Sequence, residues 1–457
     1  MSSDASDQPA STGRRLAFRI DERPATLLES LLYGWQHTLV DISPFVLPLA
    51  VATALGMSAG DGAALISAGL VAMGLATLLQ TTLGNRLPII QGPSATVTGT
   101  LVSVASTSGA AAMWGAAFVG SLLEMALGAS RLLGSLRRFF PAAVSGVVIL
   151  AIAASLGQFA VRLALGNGEA QNFALAGTVI ALILILQTAG RRLGGGLLAR
   201  GAIFLSIWLV GLGVGSLLGA VDWSLVAAKP WLGLPHLFPY GGPGFGWEWV
   251  PAAIIAVAVG YAGSVVESIG DYAATCAVSD ERYEERHMNR GIFAEGLGCF
   301  VAVCLGALPV TSYTQNIGVI ATTGVASRFV VRLAAVILIL YGLCPKFGAL
   351  LVALPRAVLG GVFLLVCGMI ATSGIKLVAS AADTTSNAVV IGLSLVAAIT
   401  IPAYVKSALP DWLAAQPPLV NLLLTNTVVL AMLLGIGLHG LLNRVLGGEE
   451  RPPTGGA

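Results

Sequence analysis

Two short segments and one helix face gather the side chains able to do chemistry. Gln91, Gly92, Pro93, Ser94, Ala95 and Thr96 interrupt one apolar stretch, and Thr314, Gln315, Asn316, Ile317 and Gly318 interrupt another. Tyr261, Ser264, Ser268, Asp271 and Thr275 recur at spacings of three and four, which places them on one face of a helix with Glu267 on the same side. Gln315 and Asn316 each carry a donor pair and an acceptor on one amide, the complement of a heterocycle edge that alternates C=O with N–H. Tyr313 either stacks on such a ring, worth roughly 0.5–1.5 kcal/mol beyond burial, or serves as an interfacial anchor. A carboxyl such as Glu267 in an apolar span is costly and marks a substrate or proton pathway; the alternative is a structural carboxylate held by Ser, Thr or backbone. Asp271, one turn later, has two readings as well, pathway or helix-packing partner.

The elements that hold these residues follow from composition. Of 457 residues, 56% are hydrophobic and 10% charged, with a mean hydropathy of +0.87, whereas soluble domains carry about a quarter charged residues. Apolar runs long enough to cross about 30 Å of hydrocarbon recur from Leu31 almost to the C-terminus, so lipid is the solvent. Stretches such as 179–186 are apolar on every side, which excludes the alternating strands of a membrane barrel and leaves helices as the spanning element. A net charge of +2 without a basic cluster excludes a nucleic-acid partner. Cys276, Cys299, Cys304, Cys344 and Cys367 lack CxxC pairing and read as buried small hydrophobes, with no metal site or cofactor implied. No nucleophile with a base, and so no enzyme, is visible.

The predicted fold is an all-α polytopic membrane protein of about 14 spans. They begin near Leu31, Ala63, Ile89, Ala110, Phe139, Phe173 and Ala202, then near Val250, Gly291, Tyr313, Phe329, Leu350, Asn387 and Val420. Placing the N-terminus inside gives the inner loops most of the Lys and Arg, leaving Arg162, Lys229, Lys346, Arg356 and Lys406 outside. Both termini are then cytoplasmic, with residues 1–23 a disordered tail lacking a cleavable signal. The longest outer loop, 221–249, carries Trp223, Trp231, Tyr240, Trp247 and Trp249, which suits rings at the headgroup level of the lipid. The interrupted spans, three and ten, occupy corresponding places in the two halves, as do Gln36 and Glu267, which fits a 7+7 inverted repeat. Non-helical backbone at membrane depth must be buried in protein or line a wet cavity, so breaks at Gly92–Pro93 and Gly318 point to a site where restarted helices aim their N-terminal amides.

At this point the chain resembles a family, the nucleobase-ascorbate transporters. Gln315-Asn316-Ile317-Gly318-Val319-Ile320-Ala321-Thr322-Thr323-Gly324 matches its signature at every fixed position: Gln/Glu/Pro, Asn, any residue, Gly, four residues, Thr, then Arg/Lys/Gly. Gln36-His37, Gln91-Gly92-Pro93-Ser94, Glu267-Ser268-Ile269-Gly270-Asp271 and Ala294-Glu295-Gly296-Leu297-Gly298 match as well, and the resemblance covers roughly 31–442. It implies an elevator-type homodimer in the inner membrane. Its moving core would be 29–135 with 250–348, its gate and dimerisation domain 136–249 with 349–443, and its cytoplasmic tails 1–28 and 444–457. It implies that Glu267 and Gln315 hold a base, that Tyr313 stacks on it, and that backbone near Ser94, Ala95 and Thr314 completes the site with Asn316. His37, Asp271, Glu295, Asn316, Gly318 and Thr323 match positions tied to affinity, coupling or site shape. Uracil carriers of that family begin the signature with Glu and ascorbate carriers with Pro, so Gln315 favours a purine such as xanthine or uric acid. Ala95 departs from the usual aromatic and enlarges the pocket.

Two alternatives remain. One is uracil or another pyrimidine within the same family. The other is a sulfate or bicarbonate anion exchanger with the same architecture, disfavoured by Glu267 and Asp271 and by the lack of Lys or Arg in spans three, eight and ten. Coupling is expected to be to protons, because neighbouring carboxyls in a membrane are cheap to move only when protonated. Sodium is the less favoured ion, since no oxygen cage is evident.

Overall fold

A computed structural model describes residues 16–40, 46–131, 133, 141–192, 201–381 and 384–446. The chain is mostly helical. In order, α1 is Leu27–Val40, α2 Val46–Ala54, α3 Ala59–Thr82, β1 Gln91–Pro93, α4 Ala95–Ser130, α5 Ala142–Leu165, α6 Ala170–Arg192, α7 Ala202–Leu217 and α8 Trp223–Ala227. The second half has α9 Pro251–Val278, α10 Glu285–Cys304, β2 Val310–Ser312, α11 Thr314–Thr323, α12 Arg328–Gly342, α13 Pro345–Ala353 and α14 Arg356–Ser380. It ends with α15 Thr385–Ala408, α16 Pro410–Ala414, α17 Pro418–Thr425 and α18 Thr427–Leu446. Among the described residues, seven helices are long and apolar enough to cross a membrane, or eight if α12 and α13, bent by 76°, form one span.

Four features differ from the sequence expectation. A two-stranded sheet is present, β1 against β2, although an all-α chain was expected; polar, glycine-interrupted segments pair their backbones where helix would leave them unsatisfied. No new element starts near Ala110: α4 runs through, with a kink at Gly109 (φ 81°, ψ 178°). Gly318 is not a break, because it lies inside the continuous α11, and the interruption is β2 with Tyr313 ahead of that helix. Residues 16–23, expected in a disordered tail, are ordered against the start of α12. Ala17 N donates to Gly324 O (2.8 Å), Ala326 N to Phe18 O (2.9 Å) and Arg328 N to Ile20 O (3.0 Å), which satisfies backbone groups that the end of α11 leaves open.

Packing runs through small residues. The helix α4 lies on α9 and α10, α3 on α12, and α5 on α14. At Gly296 of α10 a Cβ would come within 2.6 Å of Met125 N, so only glycine lets α4 approach that closely. The 221–249 segment divides. Trp223, Trp231 and Trp249 are exposed as a headgroup belt requires, whereas Trp247 is buried and Tyr240 stacks on Trp114 at 5.2 Å.

Candidate functional site

The strands β1 and β2 run antiparallel with Gln91 opposite Ser312, Gly92 opposite Thr311 and Pro93 opposite Val310. Each ends at a helix N-terminus, α4 after Ser94 and α11 after Tyr313, so two sets of open backbone amides meet beside the sheet. Ser94 N donates to Pro309 O (2.8 Å), and Tyr313 N to Ile90 O (3.1 Å), which extends the pairing by one residue at each end. The Tyr313 ring lies directly on Gly92, where any side chain would collide with it, and its hydroxyl donates to Pro93 O (2.9 Å). Tyr313 is therefore fixed by the strand pair and is 8% exposed.

The polar face of α9 turns towards this sheet. Glu267 Oε2 accepts from Thr96 Oγ1 at 3.1 Å, and no protein donor among the described residues reaches its other oxygen. Asp271 accepts at both oxygens, from Thr314 Oγ1 (2.9 Å) and Ser312 Oγ (3.2 Å). Deeper, Glu295 of α10 accepts from Ser268 Oγ (2.6 Å), Tyr272 OH (2.7 Å) and Thr311 Oγ1 (3.3 Å). Gln80 Nε2 donates to the same tyrosine oxygen at 2.7 Å. Ser94 and Ser264 share a hydrogen bond of 3.0 Å.

A cavity of about 170 Å³ opens on this arrangement. Pro93, Ala95, Glu267, Thr311, Ser312, Tyr313, Thr314 and Gln315 form one wall. Leu47, Ile149, Val366, Met369, Ile370 and Ser373, from α2, α5 and α14, form the apolar wall opposite. The wall mixes few polar groups with apolar surface, as small-molecule sites do. A second cavity of about 690 Å³ shares Ile149, Glu267, Thr314 and Ser373 and continues past Asp271 to Leu127, Tyr283 and Lys376, which opens a route to the end of the molecule where α4 and α9 finish.

Of the residues singled out in the sequence, Glu267, Gln315, Tyr313, Thr314 and Ala95 line the smaller cavity and Asp271 the larger. Asn316 points elsewhere: fully buried, its Oδ1 lies 2.8 Å from His37 Nδ1, tying α11 to α1. Ser94 caps α4, accepting from Val97 N at 3.2 Å, and lines neither cavity. Thr323 supports the end of α11, donating to Val319 O (2.7 Å) and accepting from Val325 N (3.1 Å). Gly318 is exposed on α11 with open space where a Cβ would stand. Sequence reasoning placed Thr96 in the interrupted stretch without giving it a role, and passed over Gln80, Tyr272, Ser312 and the buried Glu124. The last is a carboxyl inside an apolar span, the signal that marked Glu267. No group of three or more His, Cys, Asp or Glu able to hold a metal occurs among the described residues.

Known proteins place this geometry. The Xan_ur_permease model, described as a permease family, matches residues 28–407. Uric acid permease PucK of Bacillus subtilis (strain 168) is 33% identical over 395 residues, 83% of this chain and 89% of that one. Xanthine permease XanQ of Escherichia coli (strain K12) is 33% identical over 394 residues, covering 80% and 82%. Among solved structures, the transmembrane domain of a cyanobacterium bicarbonate transporter, BicA, aligns with a TM-score of 0.57 at 15% identity over 92% of this chain and 99% of that one. Murine Slc26a9, an anion transporter in its inward-facing state, aligns at 0.62 and 13% identity, covering 94% and 70%. At that identity the two structures speak for the fold alone. The family match spans most of the sequence, and the chain belongs to this permease family, the nucleobase-ascorbate transporters, as a multi-pass membrane transporter.

Proposed function

We propose that the protein imports a purine nucleobase, xanthine or uric acid, by proton symport with an elevator-type movement. The observation that carries the reading is the cavity in which the free oxygen of Glu267 and the Gln315 amide face apolar α5 and α14 beside paired helix N-termini. A planar base fits that chemistry: Gln315 donates and accepts at its edge, Glu267 accepts from a ring N–H, and the amides after Ser94 and Tyr313 receive its carbonyls. Support comes from relatives named as uric acid and xanthine permeases. The Tyr313 ring, held on Gly92, offers the base a stacking edge, and Asp271 stands one turn from Glu267 as its coupling partner.

The architecture goes with it: about fourteen spans in a 7+7 inverted repeat, interrupted at β1 and β2. The core, 29–135 with 250–348, carries the polar wall. The gate, 136–249 with 349–443, carries Ile149, Val366, Met369, Ile370 and Ser373 of the apolar wall. Such a division lets the polar wall slide with its substrate past a gate that dimerises, in the inner membrane with both termini cytoplasmic. The larger cavity, lined by Tyr283 and Lys376 on the side this reading assigns to the cytoplasm, supports an inward-facing state. The test is uptake by cells expressing the protein: labelled xanthine should enter and be displaced by unlabelled xanthine or urate and not by uracil. Displacement by uracil alone would move the site to the pyrimidine carriers.

A further inference from the structure

Glu124 has no part in the site described above, yet it is a carboxyl less than two turns from the C-terminal end of α4 with 2% of its surface exposed. Neither of its oxygens has a conventional hydrogen-bond donor. The groups facing it are the Glu295 carboxyl and the Cys299 thiol from α10 and the Tyr261 and Tyr272 rings from α9. Both tyrosine hydroxyls are committed elsewhere, Tyr261 to Ala117 O (3.0 Å) and Tyr272 to Glu295 (2.7 Å), and the Cys299 thiol donates to Val310 O at 3.1 Å. No Lys or Arg faces the pair among the described residues. Two apposed carboxyls without a cation cannot both be charged, so one proton must be present. Glu295 has three hydroxyl donors and is the partner suited to be the anion; Glu124, with none, is the partner suited to hold the proton.

With that proton in place, Glu295 has a path by which to take up a second. Ser268 Oγ donates to Glu295, and Ser312 Oγ stands 2.9 Å from Ser268 Oγ and 3.2 Å from Asp271 Oδ2 at the larger cavity, with one hydrogen that can turn to either. We propose that Glu124 is a second proton-holding residue of the transport cycle: it keeps one proton shared with Glu295, and the pair takes up a second from the substrate cavity through Asp271, Ser312 and Ser268 and gives it back. One proton enters at Asp271, each serine passes one on while receiving one, and one arrives at Glu295 Oε1, so no other bond is made or lost. The return trip runs the same steps backwards. Loading the core this way neutralises carboxyls on both sides of β2 before it moves. The inference rests on proton-driven transport as proposed above.

The experiment uses the purified full chain in vesicles with labelled xanthine as probe. It compares substrate-for-substrate exchange without a gradient with uphill accumulation under an imposed pH gradient. Glu124→Gln keeps the shape and removes the proton shared with Glu295. Exchange should stay within about twofold of the unsubstituted protein while accumulation falls at least about fivefold, and Glu124→Asp should recover it. Ser268→Ala, which cuts the relay at a buried residue outside both cavities, should lose accumulation in the same way if Glu124→Gln does not assemble. If the unsubstituted chain is driven by pH and both Glu124→Gln and Ser268→Ala accumulate as it does, the Glu124 proton is fixed structure and the proposal falls. Indifference of the unsubstituted chain to pH would instead remove proton coupling itself, and this relay with it.

Discussion

Gln315 presents an amide to the cavity with no internal hydrogen bond among the described residues, so its whole donor and acceptor capacity is available to a ligand. Replacing it by Glu removes both donors. Purine affinity should drop by about tenfold or more, near 1.4 kcal/mol, with uracil uptake rising, as read by displacement of labelled xanthine. Ala95 lies in the same wall at the first residue of α4, where a larger side chain must enter the cavity. Ala95→Phe should shift affinity for a planar base by about tenfold, since a change of pocket shape is worth roughly 1–3 kcal/mol; the same displacement assay reads it, and unchanged affinity would mean that residue 95 does not face the base. Part of the site was legible in the sequence, because Glu267, in this wall, and Asp271, in the larger cavity, stand out as carboxyls on a Ser/Thr face in an apolar stretch. The direction of Asn316 was not legible. It sits next to Gln315 on a helix, where adjacent residues point about 100° apart, and only the packing of α1 decides that it meets His37.

At the scale of elements, the site depends on a three-residue strand pair whose partners come from opposite halves of the chain. Three residues carry no readable period, and pairing at that separation has no local signature, so the sequence could mark both segments as interrupted without showing that they join. The same gap put the second break at Gly318, where glycine composition was the only cue, and missed the Tyr313 boundary. Gly92→Ala should push the Tyr313 ring out of its seat, at a cost of about 1–3 kcal/mol from overpacking. A lowered apparent Tm together with weakened xanthine binding is expected, and a variant that keeps both would show that the ring has room to shift. The bond between α1 and α11 gives a separate outcome. His37→Ala removes the buried hydrogen bond to Asn316 Oδ1 and should destabilise the protein by about 1 kcal/mol, visible in thermal unfolding, without a new substrate preference.

For the whole molecule, hydropathy alone identified the solvent, because a chain with 10% charged residues and repeated apolar runs has no soluble core large enough to absorb it. The helix starts expected near Phe173, Ala202, Val250 and Asn387 fall within a few residues of α6, α7, α9 and α15. What hydropathy could not supply is the facing of the two walls. The polar wall belongs to β1, the start of α4, α9, β2 and α11, and the apolar wall to α2, α5 and α14, and that opposition arises only when distant helices pack. Transport follows if the polar wall carries the base and a proton across together. A bare carboxylate in the bilayer is costly, whereas a neutral, ligand-bonded one moves cheaply. The central claim is therefore tested by purified protein in sodium-free vesicles loaded at neutral pH and placed in acidic medium with labelled xanthine. Accumulation above the external concentration that collapses when a proton ionophore is added, and is abolished by Glu267→Gln, is the predicted result; accumulation that requires sodium, or that keeps its pH dependence in Glu267→Gln, would contradict it.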